Sequence, residues 1–140
     1  MSTNAILQPM FAMVLLTAIV WFEMYRRRLG YTAANKIDPQ SLADASDVKL
    51  VLKPVQAPAN NLTNLFEIPV LFYAAILTIY ASGIVTAALL GLAWAFVILR
   101  VLHSLVQLTS NEVMKRFFVY AASTFVLWVM WVMMAIRLFA

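Results

Sequence analysis

A small set of side chains in this sequence is suited to shared chemistry: Asn64, Glu67, Arg100, His103, Arg116 and Tyr120. Asn60, Asn64 and Glu67 recur at helical spacing, as do Arg100, His103 and Gln107, and again Arg116 and Tyr120. Such spacing puts each set on one helix face. These residues lie within or at the edge of apolar runs, where ionisable groups face protein or a wet cavity rather than lipid. A Glu67–Arg100 pair would remove most of the desolvation cost of both, leaving Arg116 to meet something anionic. Each residue also has a purely structural reading: Glu67–Arg100 as an interhelical tie, Arg116 as a snorkelling side chain, His103 as a packing histidine bonded to a carbonyl, and Tyr120 as an interface aromatic. With 1 His and no Cys in the chain, no metal site is expected, and the protein supplies no thiol nucleophile.

The elements that must position these residues follow from composition. Of 140 residues, 64% are hydrophobic and 11% charged, and mean hydropathy is +0.88. Soluble domains run at about 45–50% apolar and about 25% charged. A soluble enzyme domain, a disordered tail and a disulfide scaffold are therefore excluded. The net charge is +4, but the bases flank apolar runs and form no patch suited to nucleic acid.

A bilayer core of about 30 Å needs about 20 apolar residues per helix. The runs predict an all-α, four-helix transmembrane bundle in a single domain, 1–140, with helices over about 5–25, 62–81, 84–108 and 112–138. Arg26-Arg27-Arg28 follow the first run, the reverse of a signal peptide, so that helix is expected to be retained. Ser82-Gly83 separates the middle two, and Asn111 is placed to cap the last. A long polar loop, about 26–61, contains a piece near Leu42–Leu52 expected to lie on the membrane surface. Trp94 falls near mid-depth and is read as a packing residue. Of the 10 Lys+Arg, only Arg137 falls opposite the two charged loops. The positive-inside rule therefore places those loops in the cytoplasm and both termini outside. At about 1.5 Å per residue, the polar groups of three helices fall in one layer, about 6–12 Å below that surface.

The stretches NNLTNLFEIPVLFY (Asn60–Tyr73) and RVLHSLVQLTSNEVMKRFFVY (Arg100–Tyr120) resemble the signature segments of the MAPEG family, membrane-associated proteins in eicosanoid and glutathione metabolism. The resemblance covers the four-helix layout. It implies a homotrimer in a bacterial inner membrane, with glutathione as cosubstrate bound between subunits near the cytoplasmic face. It assigns glutathione contacts to Asn64, Glu67, Arg100, His103 and Tyr120. It gives Arg116 the catalytic role of holding the glutathione sulfur as thiolate. The activity implied is that of a glutathione transferase or peroxidase acting on hydrophobic electrophiles or lipid hydroperoxides that enter from the bilayer.

The chain departs from the family pattern at three positions. Catalytic members often carry Arg where Asn60 stands and Tyr where Gln107 stands. Phe117 occupies the place of a Ser in the prostaglandin synthase branch, so prostaglandin synthesis is not expected. These departures motivate an alternative, a non-catalytic protein of the same fold that binds a lipid or another anion. A small four-helix exporter would need a carboxylate near the middle of helix 1, whereas Glu23 lies near its end, in i,i+3 and i,i+4 relation to Arg26 and Arg27.

Overall fold

A computed structural model describes residues 2–139, so Met1 and Ala140 lie outside the described residues. A 3-10 turn, Thr3–Ile6, leads into α1 (Leu7–Ala34). The connection that follows holds 3-10 turns at Pro39–Leu42 and Lys53–Val55 and a short α2 (Ala45–Val51). Then come α3 (Ala57–Leu65), α4 (Ile68–Ala81), α5 (Ala87–Leu108) and α6 (Val113–Phe139). Among the described residues there is no strand, and four segments are long and apolar enough to cross a membrane: Thr3–Ala34, Ala57–Ala81, Ala87–Leu108 and Val113–Phe139. The protein is a four-helix, multi-pass membrane bundle.

The first helix does not stop at the arginines. It continues to Ala34 because charge ends a membrane span but not a helix, and arginine is a strong helix former. Glu23 reinforces the turn by accepting from Arg26 Nε and Arg27 Nε, both at 2.6 Å. Arg27 also reaches across to donate from Nη2 to the Leu108 carbonyl at the end of α5, at 3.0 Å. The helix closes with a Schellman pattern: Ile37 N donates to Thr32 O, Lys36 N donates to Ala33 O, and Lys36 adopts φ +52°.

The second span was expected to be one helix and is two. Proline lacks an N–H and its ring clashes with the carbonyl four residues back, so a helix interior rejects it. Pro69 instead sits in the first turn of α4, where the missing donor costs nothing. The chain breaks at Phe66–Glu67, with Glu67 at φ −94°, ψ −100°. This second span also starts earlier than expected, at Ala57. Gly83 turns the chain at φ +68°, a left-handed conformation that glycine adopts without strain. Thr86 then caps α5 by accepting from Leu89 N at 3.2 Å, so α5 begins at Ala87 rather than near Ile84.

The core runs along the bundle axis at helical spacing. Met13, Leu16 and Val20 from α1 meet Phe72, Ala75, Ile76 and Ile79 from α4, Leu89, Ala93 and Phe96 from α5, and Leu127, Met130 and Met134 from α6. Phe72 stacks on Phe96 with centroids 4.6 Å apart. Between lipid-facing helices such interdigitation, not water exclusion, drives association. Trp94 is not a core packing residue. It is 37% exposed and lines a groove between α1 and α5 with Leu15, Ile19 and Leu102. The piece near Leu42–Leu52 folds as α2, and Leu52 is buried while Leu50 stays exposed.

Candidate functional site

Helix α5 carries the buried polar face. Arg100, His103, Ser104 and Gln107 recur at i, i+3, i+4 and i+7 and are all buried. The break between α3 and α4 opens the backbone ladder, and Arg100 uses the opening. Its Nη2 donates to the Asn64 carbonyl at 2.7 Å. Its guanidinium carbon lies 5.3 Å from the centroid of the Tyr120 ring, within cation–π range. Arg100 is 0% exposed, and its Nε and Nη1 have no partner among the described residues.

No Glu67–Arg100 ion pair forms. Glu67 is exposed, and the ion pairs among the described residues are Glu23–Arg26, Glu23–Arg27 and Glu112–Lys115. The physical reason is the Pro69 break, which takes Glu67 out of the helical backbone that would have aligned it with Asn64. A main-chain carbonyl and an aromatic ring take the place of the expected carboxylate.

An open pocket of about 240 Å³ lies between the helices, lined by Asn64, His103, Val113, Arg116, Phe117 and Tyr120. The tight α5–α6 turn brings the last four next to α5. Asn111 N donates to the Val106 carbonyl at 2.7 Å, and Asn111 takes φ +51°. Its side-chain oxygen, expected to cap α6, accepts instead from Arg116 Nη1 at 2.7 Å. Arg116 thus has a neutral partner and, among the described residues, no carboxylate. Four of the expected site residues line this pocket, Arg100 lies behind it against Tyr120 and Asn64, and Glu67 is not on its wall. Asn60 is also turned away, accepting from Gln56 Nε2 at 3.4 Å.

Two amides outside the expected site residues support it. Gln107 is 1% exposed. Its Oε1 position lies 3.2 Å from Asn64 Nδ2 and 3.1 Å from His103 Nε2. The other ring nitrogen of His103, Nδ1, lies 3.2 Å from the Arg116 carbonyl. One layer over, Ser104 Oγ donates to Asn61 Oδ1 at 3.2 Å. The signal for both amides was a polar residue on an already polar face, Asn61 three before Asn64 and Gln107 four after His103.

Chemically, the wall is rich in donors and in uncompensated positive charge. Such a surface is suited to an anionic or strongly accepting group. Among the described residues no cluster of His, Asp and Glu is arranged for a metal ion. A sequence model of the MAPEG family matches residues 6–136, nearly the whole chain. No curated protein and no solved structure matches it.

Proposed function

This chain belongs to the MAPEG family, and we propose that it is a glutathione-dependent membrane transferase or peroxidase. The observation that carries this reading is the pocket of Asn64, His103, Arg116 and Tyr120, in which the Arg116 guanidinium has, among the described residues, only Asn111 as a partner. Glutathione offers the complementary groups, two carboxylates and a thiol. Arg116 holds the sulfur as thiolate, raising the nucleophilic fraction at neutral pH. Asn64 and Tyr120 contact the peptide, His103 lines the same wall, and Arg100 braces Asn64 and Tyr120 from behind. Glu67, exposed at the helix break, contacts glutathione from the rim or across a subunit boundary.

Size supports a shared site. The protomer's pocket of about 240 Å³ falls below the roughly 300–1,000 Å³ of small-molecule sites. Its mouth is formed by the exposed apolar residues Val113 and Phe117. A neighbouring copy in a homotrimer completes it, and a hydrophobic electrophile or lipid hydroperoxide enters from the bilayer. The charged loops face the cytoplasm of a bacterial inner membrane, with both termini outside.

Purified protein in detergent is expected to conjugate a generic electrophile to glutathione, and Arg116→Ala to lose most of that rate. A wild-type rate no higher than that of empty detergent overturns the reading. The outward turn of Asn60 and the inward turn of Gln107 favour a second reading, a non-catalytic protein holding a lipid head group or another anion. Native mass spectrometry would then find retained lipid and no glutathione.

A further inference from the structure

Gln107 is buried behind the pocket, and one of its terminal atoms serves two neighbours at once. That atom lies 3.1 Å from His103 Nε2 and 3.2 Å from a terminal atom of Asn64. Amide nitrogen and oxygen are isosteric, so their polarity follows from the network around them. The network has a fixed end: His103 Nδ1 faces the main-chain carbonyl of Arg116 at 3.2 Å, and a carbonyl only accepts. Nδ1 therefore carries a proton.

Two complete arrangements satisfy this constraint. In one, Gln107 presents its oxygen to both neighbours, His103 carries protons on both nitrogens, and Asn64 turns its NH2 inward. In the other, His103 is neutral, Gln107 presents its NH2 to both, and Asn64 turns its oxygen inward. The first adds a third positive charge beside Arg100 and Arg116, with no ion pair to a carboxylate for any of the three among the described residues. The second needs no added charge and satisfies the three hydrogen bonds that link Arg116 O, His103, Gln107 and Asn64.

We propose that Gln107 is a positioning residue that holds His103 as the neutral Nδ1–H tautomer and turns the amide NH2 of Asn64 into the pocket. The free Asn64 atom has no partner among the described residues, and Asn64 lines the pocket. It then joins Arg116 and Tyr120 as a third donor on that wall. The pocket selects an acceptor group, a carboxylate or thiolate, over an ammonium. The ligand side of this assignment rests on the glutathione reading; the tautomer side does not.

The chain's 1 His makes the test direct. In protein labelled with ¹⁵N-histidine, in detergent at pH 7.5, the imidazole signals are expected to report a protonated Nδ1 and a bare Nε2. An Nε2–H tautomer or an imidazolium in the wild type overturns the proposal without any ligand present. Gln107→Glu offers only acceptors, so the ring is expected to gain a second proton. A wild-type spectrum in that variant also overturns it. For glutathione, Asn64→Asp is expected to weaken affinity about tenfold, whereas unchanged or tighter binding shows that an acceptor belongs there and overturns the assignment. Wild-type protein that binds no glutathione but shows the Nδ1–H tautomer counts against the ligand reading and leaves the Gln107 assignment supported.

Discussion

Arg100 and Asn64 are joined through a main-chain carbonyl rather than through two side chains: Arg100 Nη2 donates to Asn64 O at 2.7 Å. The carbonyl is free because Pro69 prevents α3 and α4 from forming one helix, so a proline on the chain's second span decides what a buried arginine on its third can bind. Tyr120 from α6 closes the arrangement by placing its ring against the same guanidinium.

Replacing Pro69 with Ala should let the second span become continuous and return the Asn64 carbonyl to the backbone ladder. Each recovered backbone bond contributes about 0.5–1.5 kcal/mol, against about 1.5–3 kcal/mol for the lost bond to a charged group. Stability is then expected to move little while the pocket rearranges. The Pro69→Ala variant should keep its thermal midpoint and lose about tenfold in glutathione affinity, equivalent to about 1.4 kcal/mol. Titration calorimetry showing unchanged affinity would contradict the role given to the break.

Tyr120 combines a ring that faces Arg100 with a hydroxyl available to the pocket. Tyr120→Phe retains the ring and is expected to leave stability within about 0.5 kcal/mol. Tyr120→Leu removes it and should cost about 0.5–2 kcal/mol, the range of cation–π contacts. Denaturant unfolding in mixed micelles checks the pair. Equal losses in both variants would show that the hydroxyl, not the ring, supports Arg100.

The role of Arg116 has a pH signature. A free thiol with a pKa of about 8.5 is only about 3% thiolate at pH 7. If Arg116 lowers the bound thiol to about 6.5, that fraction rises to about 75%. A lowered pKa favours the reactive form above 6.5, and the gain disappears once pH passes 8.5, where the free thiol ionises unaided. Arg116→Ala should therefore cost about 25-fold at pH 7 and much less at pH 9. A loss of the same size at both values would assign Arg116 to binding alone.

Orientation is open to a simple labelling test because the chain has no Cys. Ser82→Cys, between α4 and α5, should react with a membrane-impermeant maleimide on intact cells. Lys36→Cys, after α1, should react only once the cells are permeabilised. The reverse pattern would invert the topology.

Several features could be read directly from the sequence. Apolar length dictates four spans, since lipid leaves no other place for such segments. Helical spacing and the rise per residue put Asn64, His103, Arg116 and Tyr120 at one depth, and these residues line one pocket. Both signals are local and periodic, so they survive without knowledge of neighbours. The partners of Arg100 and Gln107 were not legible. Glu67 and Arg100 share a depth, yet the break at Phe66–Glu67 separates them, and Gln107 faces a histidine and an asparagine rather than the pocket. The arginines after Tyr25 look like a terminus, but they end a span while the helix continues to Ala34. Periodicity assigns a side chain to a face. Only the packing of three helices around a broken one decides which atom meets it there.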